Sequence, residues 1–175
     1  MKIIVLNGSS RENGNTVYLA RLAVEGKEAK FIHLKDKQIL PICDKRHDPQ
    51  GFQPLNDDYD TLIKTVLEYD AIIFATPIYW YGMSGIMKNF IDRWSQSLRD
   101  RELDFKEKMK EKKAYVVACG GDDARLKGLP LILQFKYIFD FMNMDFCGYV
   151  IGEGNSPGEV ENDHSACQQA RNLLK

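Results

Sequence analysis

Near its start the chain carries the loop Gly8-Ser9-Ser10-Arg11-Glu12-Asn13-Gly14-Asn15-Thr16. The β-branched run Lys2–Asn7 before it predicts a buried strand, and residues 17–24 after it predict a helix with Thr16 near its cap. Because backbone N–H groups and the positive end of a helix dipole converge in such a loop, it favours binding of a phosphate. An ordinary strand-to-helix turn uses the same residue types and stays open as the alternative.

The loop lacks the signatures of two common phosphate sites. A P-loop needs a lysine beside the Ser/Thr at the helix start, where this chain has Asn15. A dinucleotide fingerprint needs three glycines, and only Gly8 and Gly14 are present. The loop's side-chain donors are the hydroxyl, amide and guanidinium groups of Ser9, Ser10, Thr16, Asn15 and Arg11. This donor set fits a terminal phosphate monoester better than a pyrophosphate.

Length and composition set the broad class of the protein. With 175 residues and 44% hydrophobic content, the chain predicts one globular domain, residues 1–175, with a sizeable core. Its formal net charge of -1 gives no reason to expect a nucleic acid or an anionic membrane as partner. No apolar run approaches the ~20 residues that span a bilayer. The four cysteines form no C-x-x-C pair, which favours a reduced, cytoplasmic protein.

Strand-like and helix-like patterns alternate along the rest of the chain. Apolar runs predict further buried strands at Lys30–Leu34, Ala71–Ala75, Ala114–Cys119 and Phe146–Ile151. Helical periodicity predicts helices at Tyr59–Leu67, Met83–Leu98, Leu129–Met142 and Val160–Leu174. The alternation predicts an α/β fold: a doubly wound, five-stranded parallel sheet of order 2-1-3-4-5 with helices on both faces. In that order, the loop after the third strand lies beside the loop after the first.

The loop after the third predicted strand has an unusual composition, Thr76-Pro77-Ile78-Tyr79-Trp80-Tyr81-Gly82. Its three consecutive aromatic residues suit a flat, conjugated ligand, since core aromatics recur at the periodicity of a helix or strand. A third loop, residues 120–125, follows the fourth strand at the same edge, and Gly120 and Gly121 would let its backbone approach a ring closely. A phosphate at one end and a planar ring at the other describe flavin mononucleotide, FMN.

The first loop and a longer second segment together resemble the flavodoxin-like NADPH-dependent FMN reductase family, from Met1 to about Ile151. The second segment is the aromatic loop followed by Met83-Ser84-Gly85-x-Met87-Lys88-Asn89-Phe90-Ile91-Asp92-Arg93. The resemblance implies a flavodoxin-like fold, bound FMN and reduction by NADH or NADPH. It also implies a small-molecule electron acceptor (free flavin, a quinone, or an azo or nitro compound) and a homodimer or homotetramer with a second subunit near the flavin.

The resemblance also assigns roles by position. It implies that Ser9, Arg11, Asn15 and Thr16 bind the phosphate, and the hydroxyl of Ser10 in the same loop makes it a further candidate. It implies that the ring is contacted by Pro77, Ile78, Tyr79, Trp80, Tyr81, Gly82, Cys119, Gly120 and Gly121. No residue is assigned a catalytic role, because the flavin performs the chemistry and the protein orients and tunes it.

The positions of several cationic residues predict ligand contacts, and the composition of one helix predicts the oligomeric state. Arg125 or the amides of Gly120 and Gly121 would donate to the N1–O2 edge of the flavin. Lys88 and Arg93 are expected to be solvated, as exposed helical cations usually are, and contact with the phosphate of a nicotinamide nucleotide is the alternative. The helix Leu129–Met142 is apolar on more sides than one sheet face can cover, which predicts a homodimer or larger assembly.

Residues 37–56 separate the second strand from its helix, where one branch of the family holds an iron–sulfur cluster. Such a cluster needs about four thiolates, and this segment offers only Cys43. Zinc is not expected either, because Cys43, His47 and Asp48 lack a fourth ligand. A connection of ~20 residues is long for an α/β unit, which favours a lid over the flavin or a subunit contact.

Two other classes compete with a reductase. A flavodoxin-type electron-transfer protein, without its own NAD(P)H activity, is the alternative, although such carriers tend to be more acidic than this chain. A response-regulator receiver is excluded, because it needs an acidic cluster after the first strand and an aspartate after the third. This chain has Asn7-Gly8-Ser9 and Ala75-Thr76-Pro77 there. The physiological acceptor, the NADH or NADPH preference and the choice between dimer and tetramer stay open.

Overall fold

The computed structural model describes residues 1–175. Its strands are β1 (Ile3–Asn7), β2 (Ala29–His33), β3 (Ala71–Tyr79), β4 (Gly82–Met83), β5 (Lys113–Gly120) and β6 (Asp145–Glu153). Five of them form a parallel sheet of order β2-β1-β3-β5-β6, and β4 pairs antiparallel with the end of β3. The predicted order of the five parallel strands is therefore confirmed.

Seven of the eight helices lie between strands, and the last one follows the final strand. The helices are α1 (Asn15–Ala23), α2 (Tyr59–Leu67), α3 (Gly85–Asp92), α4 (Trp94–Ser97), α5 (Phe105–Lys110), α6 (Ala124–Lys127), α7 (Leu129–Met142) and α8 (His164–Asn172). Two short 3-10 turns lie at Leu34–Asp36 and Glu159–Asn162. None of the helices is both long and apolar enough to cross a membrane.

The core lies on both faces of the sheet. Ile4 and Leu6 of β1 belong to a cluster of 29 buried residues that also holds residues of α2, α3, α5 and α7. Ile3 and Val5 belong to a second cluster, of 18 residues, with α1 and α8. Because both faces of each central strand are covered, the strands are continuous apolar runs in the sequence rather than alternating ones.

The predicted single helix Met83–Leu98 is wrong at its start and in its middle. Met83 lies in β4, α3 begins at Gly85 with Ser84 as its N-cap, and Arg93 separates α3 from α4. Arg93 is fully buried, and its Nη1 lies 2.6 Å from Oδ2 of the equally buried Asp57. Arg93 is therefore neither solvated nor facing a nucleotide phosphate, and both sequence-based alternatives are wrong for this residue.

Residues 37–56 form neither a helix nor a strand, as the length of the segment led us to expect. The ends of the segment are held together, since Asp58 N–H donates to the Gln38 carbonyl at 2.8 Å and Leu40 N–H to Asp57 at 3.0 Å. Asn89 of α3 binds the Ile39 carbonyl at 2.5 Å. The segment is thus a closed loop fastened to α3, and none of its residues lines the cavity at the carboxyl ends of the strands that is described below. A part in a subunit contact stays a prediction.

Candidate cofactor site

The carboxyl ends of β1, β3, β5 and β6 surround a cavity of about 180 Å³. Its lining residues are Ser9, Arg11, Gly14, Asn15, Thr16, Pro77, Ile78, Tyr79, Cys119, Gly120, Gly121, Gly154 and Asn155. The three loops that the sequence singled out therefore meet at one place. A fourth loop, residues 154–158, joins them.

The first loop is held in shape by its own polar groups. Ser9 N–H donates to Asn7 Oδ1 at 3.1 Å, and Arg11 N–H donates to Ser9 Oγ at 3.1 Å. Gly8 N–H donates to the Ala75 carbonyl at 2.8 Å, which fixes the loop to the end of β3. These bonds form within the protein, so the loop conformation does not depend on a ligand to supply them.

The start of α1 leaves backbone donors for a ligand. Gly14 is the N-cap residue, and no side chain caps the helix. The first turn carries no acidic residue that would compensate the positive end of the helix. The first N–H groups of α1 have no partner within the helix and are available to an anion.

The charges around the cavity also favour an anion. Arg11 is the only permanently charged residue among its walls, and no carboxylate lines it. The Arg11 guanidinium is anchored loosely, with Nη1 3.4 Å from the Asn155 carbonyl, and its side chain lies at the protein surface. A phosphate in the cavity would gain this charge without facing a negative one.

The aromatic loop is a strand end and a hairpin turn, whereas the sequence predicted a loop from Thr76 to Gly82. β3 continues through Tyr79, which pairs with Gly82 of β4. Pairing between β1 and β3 ends at Ala75, so the missing N–H of Pro77 costs no hydrogen bond on that side. This local edge explains why a proline stands inside β3.

Trp80 and Tyr81 form the tip of this hairpin. Both have positive φ, 49° and 65°, which is the pattern of a type I′ turn. Bulky residues rarely adopt that backbone conformation. In addition, the side chain of Trp80 is 95% exposed, so it gains little from packing in the protein core. The hairpin therefore holds an aromatic side chain in solvent at an energetic cost, a feature found most often at functional sites.

A second cavity of about 150 Å³ adjoins the first one and shares Ile78, Gly120 and Gly121 with it. Trp80 and Tyr81 contribute to its walls. The Tyr81 hydroxyl donates to Asp122 at 3.0 Å, and Lys127 Nζ lies 2.6 Å from the same carboxylate. Hydrogen bonds from Lys127 and Tyr81 lower the pKa of Asp122, so this carboxylate stays charged and ties the hairpin to the third loop.

The two glycines of the third loop permit close packing of neighbouring loops. A Cβ on Gly120 would lie 3.1 Å from Ile78 Cβ, and one on Gly121 would lie 2.7 Å from Asn155 Cβ. Cys119, just before them, is buried with its Sγ 3.7 Å from the Gly154 carbonyl. Burial raises the pKa of Cys119 to about 12, so the thiol is neutral at physiological pH.

Arg125 does not reach the cavity. Its guanidinium is bound to Asp163 and lies 3.5 Å from Glu153. Of the two alternatives for the flavin edge, Arg125 is bound elsewhere, whereas Gly120 and Gly121 line the cavity. Lys88 pairs with Asp92 at 2.5 Å, one turn further along α3.

The fourteen residues predicted to bind the cofactor differ in their position. Ten of the fourteen line the first cavity, whereas Trp80 and Tyr81 line only the adjoining one. Ser10 and Gly82 line neither cavity. The sequence interpretation missed Gly154 and Asn155, although the turn-forming run Gly154-Asn155-Ser156-Pro157-Gly158 follows the last strand at the same sheet edge. That position was a usable signal.

Fold and cavity together define a flavodoxin-like protein with two adjoining cavities at the carboxyl ends of its parallel strands. A family model, NADPH-dependent FMN reductase, matches residues 1–147. The chain belongs to this family and is an FMN-dependent NAD(P)H oxidoreductase.

Individual relatives match over nearly the whole chain, and one of them has a name that agrees with this assignment. The chain is 56% identical over 176 residues to YwqN of Bacillus subtilis, which is named an NAD(P)H-dependent FMN-containing oxidoreductase; the match covers 100% of this chain and 97% of that protein. An iron–sulfur flavoprotein of Methanocaldococcus jannaschii is 33% identical over 187 residues, covering 100% of this chain and 94% of the relative. A solved structure of the Trp repressor binding protein from Bacillus subtilis matches with a TM-score of 0.85 and 49% identity, covering 99% and 97% of the two chains.

Proposed function

We propose that the cavity formed by the four loops is the FMN site, and that residues 1–175 are one FMN-binding domain. The observation that carries this proposal is the convergence of the first loop with its Arg11, a helix start without a side-chain cap, the end of β3 and Gly120–Gly121 on a single cavity without a carboxylate. The reductant is NADH or NADPH, and the electron acceptor is a small molecule.

The residues present suit FMN at both ends. Ser9, Arg11 and Thr16 offer two hydroxyls and one guanidinium on the side of the cavity where α1 begins. Backbone and apolar groups of the hairpin and the third loop form the other side. A phosphate would bind at the first end, and a planar ring would lie between the second group of walls.

When bound, FMN supplies the redox chemistry, namely acceptance of a hydride from NAD(P)H and delivery of two electrons to an acceptor. The chain itself binds the phosphate, orients the ring between the hairpin and Gly120–Gly121, and presents backbone N–H groups to the polar edge of the ring. The only titratable groups in the walls are Arg11, Tyr79 and the neutral thiol of Cys119. We therefore assign no acid or base among them.

The choice of acceptor includes free flavin, quinones, and azo and nitro compounds. Relatives named NADPH azoreductase and FMN-dependent NADH:quinone oxidoreductase match parts of the chain at 29% and 28% identity, which supports testing these two classes first. Trp80 and Tyr81 beside the cavity offer aromatic surface for planar acceptors.

Anaerobic titration of the flavin-loaded protein tests this function. NADPH or NADH should bleach the flavin absorption directly, and a quinone or azo dye should then restore it. If neither nucleotide bleaches the flavin while dithionite does, the protein is an electron carrier of the flavodoxin type. An apo-protein that binds no FMN would overturn the cofactor site altogether.

We also propose that the chain forms a homodimer through α7. One face of α6 and α7 exposes large apolar side chains at spacings of three or four residues: Leu126, Leu129, Leu133, Tyr137 and Phe141, each between 42% and 64% exposed. The opposite face packs Phe135 and Phe139 against Phe74 in the core. An exposed stripe of this kind is typical of a protein interface, and burial against a second copy contributes about 25 cal/mol per Å².

Sedimentation at micromolar concentration measures the assembly. Tyr137→Glu should convert dimer to monomer, whereas Lys64→Glu on the exposed surface of α2 should leave the assembly unchanged. A wild-type protein that sediments only as a monomer would contradict the proposal.

We place the protein in the cytoplasm because its four cysteines are free thiols, which fits a reducing compartment. Subcellular fractionation of the producing cells tests this localisation.

A further inference from the structure

The fourth loop is built into the site from two sides. Gly154 N–H donates to the Gly120 carbonyl at 2.9 Å, which joins the loop to the third loop. The Glu159 carboxylate accepts from Asn155 N–H at 2.7 Å and from Ser156 N–H at 2.8 Å. These bonds order a stretch whose side chains are otherwise exposed.

Asn15 connects the fourth loop to the first helix turn. Its Nδ2 donates to the Ser156 carbonyl at 2.9 Å, and its Oδ1 accepts from Gly158 N–H at 2.9 Å. The two ends of the amide thus hold two points of the same loop. A Cβ on Gly154 would lie 2.8 Å from Asn15 Nδ2, so the loop and the amide are in close contact.

Asn155 is placed differently. Its carbonyl lies 3.4 Å from Arg11 Nη1, and the residue forms part of the cavity wall. The Asn155 side-chain amide has no hydrogen-bond partner in the chain, and its residue is exposed, so both ends of the amide are free to meet a ligand. Its position next to Arg11 puts it at the phosphate end of the cavity.

We propose that Asn155 is a further FMN-binding residue, and that Asn15 acts on the cofactor as a positioning residue that holds the fourth loop in place. The proposal rests on the proposed FMN site. It assigns to Asn15 a role different from the direct phosphate contact that the family resemblance implies. It also extends the site beyond the two sequence motifs, to a loop that follows the matched residues 1–147.

A double-mutant cycle on the apo-protein tests the proposal. FMN and riboflavin are titrated into the wild type, Asn155→Ala, Asn15→Ala, the double variant, and the control Asn172→Ala on the distant exposed surface of α8. Asn155→Ala should weaken FMN binding about tenfold, as for loss of one hydrogen bond to a charged group, and riboflavin binding much less. Asn15→Ala should weaken FMN by at least as much, and the control should change neither affinity.

The double variant decides between the two roles of Asn15. If Asn15 acts through Asn155, the double variant binds FMN as Asn15→Ala alone does, because the second contact is already lost. If the two losses multiply, Asn15 contacts FMN independently and the proposal is overturned. Unchanged FMN affinity in Asn155→Ala overturns it as well. Thermal melts confirm that each variant is folded.

Hydrogen exchange in the apo-protein gives a second readout that needs no cofactor. Asn15→Ala should speed exchange of the Gly158 amide and of its neighbours in the fourth loop, whereas Asn155→Ala should not. Unchanged exchange in Asn15→Ala would overturn the positioning role. A wild-type protein that fails to prefer FMN over riboflavin would instead refute the proposed phosphate site, so the two failures are distinguishable.

Discussion

Ser84 Oγ donates a 2.7 Å hydrogen bond to the carbonyl of Gly8, 76 residues earlier in the chain. The same Oγ accepts from Met87 N–H at 3.1 Å and so caps α3, while Ser84 N–H donates to Thr76 Oγ1 at 2.9 Å. One buried serine therefore joins the first loop, the end of β3 and the start of α3. The proposed phosphate and ring sites are held in one fixed relation through this side chain.

Gly8→Ala should disrupt this junction. The added Cβ would lie 2.9 Å from both Ser84 Oγ and Met87 Cβ, and Met87 is fully buried. We expect a loss of unfolding free energy of about 1–3 kcal/mol, as for overpacking of a tight core, and weaker FMN binding. Urea denaturation and an FMN titration measure the two effects.

Gly85→Ala is the matched control for that variant. Gly85 begins α3 one residue after Ser84, and an added Cβ there meets no atom within 4 Å. Alanine at this position should be neutral or stabilising by up to about 1 kcal/mol, because it restricts the unfolded chain. Equal destabilisation by the two substitutions would show that the contact at Gly8 is not the cause.

Arg11→Ala and Thr16→Ala should weaken the binding of FMN much more than the binding of riboflavin, which lacks the phosphate. Each lost hydrogen bond to the phosphate is worth roughly 1.5–3 kcal/mol, so FMN binding should weaken by about one to two orders of magnitude per substitution. Riboflavin binding should change little. Arg21→Ala, at the other end of α1 and exposed, is the control. Parallel losses for both ligands would contradict the phosphate assignment.

The parts of the fold that the sequence predicts depend on local patterns. Ile3 to Leu6 are buried on both faces of the sheet, and that double burial is visible as an unbroken apolar run. The helix Leu129–Met142 has the bounds that its periodicity and Pro130 predicted. Loop positions at one sheet edge follow from strand order alone, which is why the predicted loops meet at the cavity.

Features that depend on distant partners were not predictable in the same way. Arg93 is buried beside Asp57, its counter-charge from a distant part of the chain, whereas a lone arginine in a helical pattern is ordinarily exposed. Asn15 suits a phosphate site by residue type, whereas in the structure both ends of its amide are bound to the fourth loop. Contacts between residues far apart in sequence decide both cases.

The cysteines should differ sharply in reactivity toward iodoacetamide. Cys43 is exposed, whereas Cys119 and Cys167 are buried. Because burial raises the pKa of Cys119 to about 12, its thiolate fraction is about 10⁻⁴ at pH 8, and alkylation should be negligible in the folded protein. Mass spectrometry should find Cys43 modified before Cys119 and Cys167, and all four cysteines modified in denaturant. Equal rates at Cys43 and Cys119 in the folded protein would contradict this.

The Asp57–Arg93 ion pair should be important for stability and separate from cofactor binding. The Arg93 guanidinium also lies 4.4 Å from the centre of the Tyr59 ring, and its Nη2 has no hydrogen-bond partner. Asp57→Ala would leave this buried cation without its counter-charge, at a cost of about 3–5 kcal/mol of unfolding free energy. Neither residue lines the cofactor cavity, so the ratio of FMN to riboflavin affinity should not change.

Acid should weaken the same pair. Burial pushes the pKa of Asp57 upward, but the hydrogen bonds from Arg93 and from the Leu40 and Tyr59 amides outweigh burial and lower it. A lowered pKa means that the stabilisation is present above the unfolded value of about 3.9 and is lost as the pH falls below it. The difference in unfolding free energy between the wild type and Asp57→Ala, measured by urea denaturation, should therefore shrink toward pH 3.

Asp92→Ala breaks the exposed pair with Lys88 and serves as the control. It should lower the unfolding free energy by less than about 1 kcal/mol. An Asp57→Ala variant as stable as Asp92→Ala would show that the buried pair is no more important than an exposed one.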